Sequence, residues 1–160
     1  MQELVESLSL KMKGLGLMLV TAESCTGGMV AAAMTDRPGS SEILERGFVT
    51  YSNDAKHELL GVPKEILSRF GAVSPQTATE MVKGAIAHSR AEIGVSITGI
   101  AGPGGGSDTK PVGLVYIGYG SKAGVVEVAE HRFQGDRASI RKQSAEAALK
   151  HLIKYIDHLA

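Results

Sequence analysis

The stretch Leu15–Met34, LGLMLVTAESCTGGMVAAAM, decides how the rest of the chain is read. Leu15 to Val20 is a short apolar run of the kind that forms a buried strand. Met29 onward is alanine-rich and reads as a helix that begins close to Thr26 and stops before Pro38. Between them lies TAESCTGG, Thr21–Gly28, with an acid, three hydroxyls, a thiol and two glycines at the handover. Open α/β sheets gather ligands at the carboxyl ends of their strands. The first turn of the following helix offers unpaired N–H groups and the positive end of its dipole. Gly27 and Gly28 allow a ligand close to that backbone. Ser24 therefore reads either as a nucleophile or as a plain helix cap, and the local sequence leaves both open. Cys25 is the better intrinsic nucleophile, but it reads equally as a small buried apolar group. The surroundings of Ser24, Glu23 and Cys25, differ from the GxSxG elbow.

Working outward, Leu4, Leu8, Met12 and Leu15 recur at helical spacing, which predicts an amphipathic first helix ending near Gly14. GFVTYS reads as a strand and NDAKHELLG as a short helix after it. Ser74-Pro75 marks a helix start, serine as cap and proline in the first turn, with Ala78, Met81, Val82, Ala85 and Ile86 as the buried stripe. AEIGVSITGIAG reads as a buried strand entering the glycine-rich loop GPGGGSDTKP. VGLVYIGYG and GVVEVAEHRF look like paired strands. A long helix follows from about Asp136, with Ile140, Ala147, Ala148, Leu152, Ile156 and Leu159 on one side. Early alternation of helices and strands, then a late strand pair, predicts one layered α/β domain over residues 1–160. Its sheet is expected to be mixed, mostly parallel and covered by helices.

Composition narrows the function. Over 160 residues, 43% hydrophobic and 21% charged residues suit a folded domain with one core. Seventeen basic residues balance seventeen acidic ones, which argues against a duplex nucleic-acid partner. A single cysteine excludes an internal disulfide and a multi-cysteine zinc site, and the five histidines form no metal-ligand spacing, so no metal and no cofactor are expected. The N-terminus does not resemble a signal peptide and no run is long enough to span a bilayer, giving the expectation of a soluble, cytoplasmic chain without a membrane partner.

Three further places could carry chemistry. Tyr51 at a strand end and Lys56 in the next helix could converge on the edge that holds Ser24. A desolvated, neutral lysine is a competent base for a serine, whereas the plain reading is a solvated lysine and a half-buried tyrosine. Thr98 and the glycines Gly99, Gly102, Gly104 and Gly105 follow a buried strand and suit phosphate or ribose, although Pro103 breaks any GxGxxG and no Walker lysine is present. Arg137 and Arg141, one turn apart on the last helix, could clamp an anion or simply be solvated.

Taken together, TAESCTGG, ERGFVTYSNDAKHELLGV, GAVS, SITGIAGPGGGSDTKPVGLVYIG and GDRASIR resemble the CinA C-terminal domain family, in order and over nearly the whole chain. The resemblance implies hydrolysis of the carboxamide of nicotinamide mononucleotide, as in the stand-alone members, without a metal. It implies Ser24 as nucleophile, Lys56 as base and Tyr51 as the partner of that lysine. Glu23, Cys25, Thr26, Gly27, Gly28 and the glycine-loop residues are expected around the substrate, with Arg137 and Arg141 as candidates for its phosphate. The large N-terminal domain of full-length CinA proteins, and its pyrophosphatase activity, are not expected here. A non-catalytic nucleotide-binding module, or an amidase for another carboxamide, stays open beside this reading, and a homodimer is expected.

Overall fold

The computed structural model describes residues 1–160 as five strands and six helices in one three-layer domain. The chain runs α1 (Gln2–Leu15), β1 (Leu19–Glu23), α2 (Met29–Met34), β2 (Leu44–Val49), α3 (Asn53–Leu60), α4 (Lys64–Phe70), α5 (Pro75–Ala87), β3 (Ile93–Gly99), β4 (Leu114–Ser121), β5 (Glu127–Arg132) and α6 (Arg137–Leu159). The strands lie in the order β2-β1-β3-β4-β5. β1 pairs parallel with both β2 and β3, while β3–β4 and β4–β5 are antiparallel.

The sheet is thus mixed as expected, with β2, β1, β3 and β5 running one way and β4 alone against them, so that two pairings are parallel and two antiparallel. The reason is local. Parallel neighbours need a crossover element, and helices supply one after β1 and after β2. Residues 100–113 after β3 contain no helix, so β4 turns back beside its predecessor, and a short turn does the same for β5.

Every residue of β1 is buried between the two helical layers, the polar Thr21 and Glu23 as well as the apolar Leu19, Val20 and Ala22. Leu19 packs into a cluster with Leu8 and Met12 of α1, Val30 and Met34 of α2, and Ile140, Ala148 and Leu152 of α6. Val20 and Ala22 point the other way, against Leu60 of α3, Leu67 of α4, and Met81, Val82 and Ala85 of α5. One place demands glycine for space. A Cβ on Gly84 would lie 1.9 Å from the Leu60 carbonyl oxygen, so α5 can cross the end of α3 only without a side chain there.

The caps read from sequence are in place. Ser74 Oγ accepts from the Thr77 N–H, and the Asp136 carboxylate from the Ser139 N–H. α4 has no counterpart among the elements expected from sequence. α2 is shorter than expected, because Thr26–Gly28 form a turn and Gly28 is its N-cap. No helix is long and apolar enough to cross a membrane.

Candidate active site

From β1 the chain goes to one neighbour and, after β2, returns to the other side, so the connections that leave the paired carboxyl ends of β1 and β3 run in opposite directions. That topological switch point is where open α/β sheets leave a crevice. A cavity of about 200 Å³ opens there, lined by Ser24, Cys25, Tyr51, Lys56, Ala72, Val73, Thr98, Gly99, Ala101 and Arg137. Two larger surface grooves, about 660 Å³ against α1 and about 650 Å³ beside β4 and α6, contain neither Ser24 nor Lys56.

Ser24 is the first residue after β1, held by its N–H on the Ile97 carbonyl at 2.9 Å, and it is 8% exposed. Lys56, on the inner face of α3, is 1% exposed. The Lys56 Nζ donates to Ser24 Oγ at 3.0 Å, to the Thr50 carbonyl at 3.0 Å and to the Tyr51 carbonyl at 3.2 Å. No carboxylate neutralises it. Burial therefore penalises the ammonium form, against a smaller opposing influence of Cys25, and lowers its pKa from 10.5 to about 8. Burial acts oppositely on Cys25, pushing its thiol up to about 11. Cys25 also packs in the core cluster, which leaves it a poor thiolate nucleophile at neutral pH.

Several expected substrate contacts are corrected by the geometry. Glu23 is fully buried and faces α2, not the cavity. Its carboxylate accepts from Thr26 Oγ1 at 2.8 Å, the Val30 N–H at 2.9 Å and the Ala31 N–H at 3.0 Å. It thereby fills the helix N-terminus that the sequence suggested was free for a ligand, and it occupies the Thr26 hydroxyl. Gly27 and Gly28 lie outside the cavity lining.

Tyr51 holds Lys56 through its backbone carbonyl, whereas its side chain is 63% exposed and its hydroxyl accepts from Arg137 Nη2 at 3.1 Å. Arg137 Nη1 donates to the Gly102 carbonyl at 2.8 Å, so one guanidinium bridges two walls at the cavity mouth. Arg141 does not face the cavity at all. Its Nε donates to the Cys25 carbonyl at 2.9 Å and its Nη2 to the Thr26 carbonyl at 3.3 Å. Of the glycine-rich segment only Gly99 and Ala101 line the cavity; Gly104 and Gly105 are exposed, and Gly102 contributes a carbonyl to Arg137.

Two features had no role assigned from sequence. The Thr50 carbonyl is a second fixed acceptor for Lys56. Ala72 and Val73, between α4 and α5, form the opposite wall, held by Thr98 Oγ1 donating to the Ala72 carbonyl at 2.8 Å. The short GAVS block was the one sequence signal for that wall. No three His, Cys, Asp or Glu side chains gather where they could hold a metal ion.

A lysine buried against a serine thus lies at the carboxyl end of an open, mixed sheet, at the switch point of an α/β domain. The chain belongs to the CinA C-terminal domain family, whose model matches residues 1–156. A nicotinamide-nucleotide amidohydrolase PncC of Enterobacter agglomerans is 48% identical over 96% of both chains. A competence-damage inducible protein of Caldicellulosiruptor bescii is 54% identical over 88% of this chain, which spans only 34% of that relative's length. The crystal structure of competence/damage inducible protein CihA from Agrobacterium tumefaciens superposes with a TM-score of 0.94 at 50% identity, covering 96% of this chain and 94% of that one.

Proposed function

We propose that this chain hydrolyses the carboxamide of nicotinamide mononucleotide to nicotinate mononucleotide and ammonia, with Ser24 as nucleophile and Lys56 as base. The observation that carries the reading is the contact of a carboxylate-free, buried Lys56 Nζ with Ser24 Oγ at 3.0 Å. The full-length match to a relative named for this activity supplies the substrate.

The stereochemistry of the amine supports the role. A neutral amine has two hydrogens and one lone pair. The Thr50 and Tyr51 carbonyls can take the two hydrogens, which leaves the lone pair for the Ser24 hydroxyl. With a pKa of about 8, roughly a tenth of Lys56 is in that state at pH 7. Ser24 Oγ attacks the amide carbon as its proton passes to Nζ. The protonated lysine then gives that proton to the departing ammonia, and water attacks the acyl-serine by the same route. The N–H group of Cys25, a residue of the cavity wall, donates to no backbone carbonyl and is a donor for the oxyanion, worth roughly 3–4 kcal/mol in such sites.

At about 200 Å³ the cavity is below the roughly 300 Å³ at which whole small ligands are usually enclosed. It takes the pyridinium carboxamide, and the ribose phosphate extends past the mouth toward Arg137. Ammonia and nicotinate mononucleotide should accumulate with the wild type and with Cys25→Ala. With Ser24→Ala or Lys56→Met turnover should fall by at least about 10³-fold. Loss of activity in Cys25→Ala alone would replace the nucleophile. Binding of the nucleotide without product from wild type would favour a non-catalytic module.

A further inference from the structure

The cavity wall between α4 and α5 has no helix or strand of its own, yet its backbone is held at three successive carbonyls. The Phe70 carbonyl accepts from Lys110 Nζ at 2.6 Å, the Gly71 carbonyl from Thr77 Oγ1 at 2.6 Å, and the Ala72 carbonyl from Thr98 Oγ1 at 2.8 Å. The donors come from the loop after β3, from α5 and from β3 itself. Gly71 has φ +80° and ψ 170°, a region essentially reserved to glycine. A Cβ there would also come within 3.0 Å of Lys110 Nζ. This segment cannot swing aside without breaking several hydrogen bonds at once.

Val73 is the next residue, and the geometry points to it as the residue that sets the size of ring the cavity accepts. The inference rests on the deamidase reading above and deepens it, naming what selects an unsubstituted pyridine ring. Val73 lines the same cavity of about 200 Å³ as Ser24 and Lys56. Apart from Tyr51 at the mouth, the other apolar lining residues are Cys25, Ala72 and Ala101, all small. Val73 is therefore the one branched aliphatic side chain in the wall. Its backbone is pinned on both sides. Before it the Ala72 carbonyl is held by Thr98, and after it Ser74 caps α5, its Oγ accepting from the Thr77 N–H at 3.1 Å. A valine is stiff at χ1, so the side chain has little room to yield where the backbone does not.

A hydrophobic stop of this kind discriminates by volume. One methylene more or fewer in an apolar pocket changes kcat/KM by roughly 10–200-fold. A ring with a methyl group on its Val73 edge, or with a second ring fused there, would have to displace a side chain whose backbone is fixed. Its carboxamide would then stop short of Ser24 Oγ.

The test sets side-chain size against ring size. Nicotinamide mononucleotide and its isomeric analogues carrying one methyl group on the pyridine ring are offered to wild type, Val73→Ala and Val73→Ile. In wild type, kcat/KM for the worst-tolerated isomer should lie at least about 10-fold below that of the parent nucleotide. Val73→Ala should bring that ratio to about threefold or less, and Val73→Ile should widen it by about 10-fold or more. A ratio measured within one variant does not depend on how much of that variant is folded. A ratio that moves in neither variant, with the parent nucleotide still deamidated, overturns the inference and leaves the deamidase reading intact.

Labelling of Ser24 by a pyridinesulfonyl fluoride and by a quinolinesulfonyl fluoride reads the same limit without any nucleotide. Ser24 Oγ attacks sulfur; the O–S bond forms, S–F breaks, fluoride leaves and the serine proton goes to Lys56. With each rate divided by that of the reagent's hydrolysis in buffer, wild type should favour the single ring by at least about 10-fold, and Val73→Ala should close the gap. A gap that persists in Val73→Ala overturns the inference. A gap that depends on Val73, with no deamidation by wild type, sustains it and sinks the substrate assignment alone. Neither labelling nor deamidation by wild type overturns both, since the cavity would then present no reacting atom.

Discussion

Two loops leave the carboxyl ends of adjacent parallel strands, and they are built on opposite principles. The turn after β1, Ser24–Gly28, is short, and its first three residues are buried. A carboxylate holds it on one side and a guanidinium on the other. The loop after β3, residues 100–113, is long, and Pro103 to Thr109 are exposed. Its tethers are few, chiefly Lys110 Nζ on the Phe70 carbonyl at 2.6 Å and Arg137 on the Gly102 carbonyl. Both looked like candidate ligand loops in sequence. The structure gives the cavity two residues from the first, Ser24 and Cys25, and one from the second, Ala101. Glycine content marks where a backbone is free to bend; buried charge marks where it is prevented from bending, and a nucleophile needs the latter.

The comparison breaks most sharply at Glu23. In Glu23→Gln an NH2 replaces one carboxylate oxygen, so a donor faces either an α2 N–H or the donor pair of Thr26 and Val30. Leaving such buried groups mismatched costs about 1–3 kcal/mol. The denaturation midpoint should drop accordingly, and turnover should fall with it because the same turn carries Ser24. An unchanged midpoint would mean that the turn keeps its shape without the carboxylate, and the contrast between the two loops would lose its basis.

A pH profile sharpens the chemical half of the contrast. With neutral Lys56 as the proposed base and its pKa lowered to about 8, kcat/KM should climb close to tenfold per pH unit below that value and level off above it. Stability moves in the same direction. Between about 8 and 10.5 the unfolded chain holds a proton on this lysine that the folded one has released, so raising the pH through that window favours the fold. A flat rate profile through pH 7–9 would remove Lys56 as the titrating base.

How much of this was legible in the sequence follows from the range of each interaction. β1 was readable from the apolar run Leu15–Val20 that leads into it, although its own Thr21 and Glu23 are polar and buried. The starts of α5 and α6 were readable because Ser74 and Asp136 cap by reaching three residues along the chain. Ser24 and Lys56 could be nominated because Ser24 follows a strand end and Lys56 lies in the helix that follows another, and the family resemblance selected them from other polar residues. Arg141 could not be read, since its acceptors are carbonyls 116 and 115 residues away and a carbonyl has no sequence signature. The same holds for Tyr51, whose backbone oxygen rather than its phenol meets Lys56. α4 escaped because KEILSRF is too short to show a helical period, and only Leu67 of its residues is buried.

The smallest expected effect tests the exposed loop itself. Gly104 has no positive φ, and a Cβ built on it meets nothing within 4 Å. Gly104→Ala should therefore shift stability by no more than about 0.5 kcal/mol and leave kcat/KM within about threefold of wild type. This near-silence is informative because Gly104 sits in the run of glycines most suggestive of a phosphate loop. A large rise in KM for nicotinamide mononucleotide would show that the loop closes over bound nucleotide and that its backbone is a ligand after all. In that case the β3 loop, and not only the β1 turn, would belong to the binding machinery, with its freedom to bend used at the moment of binding.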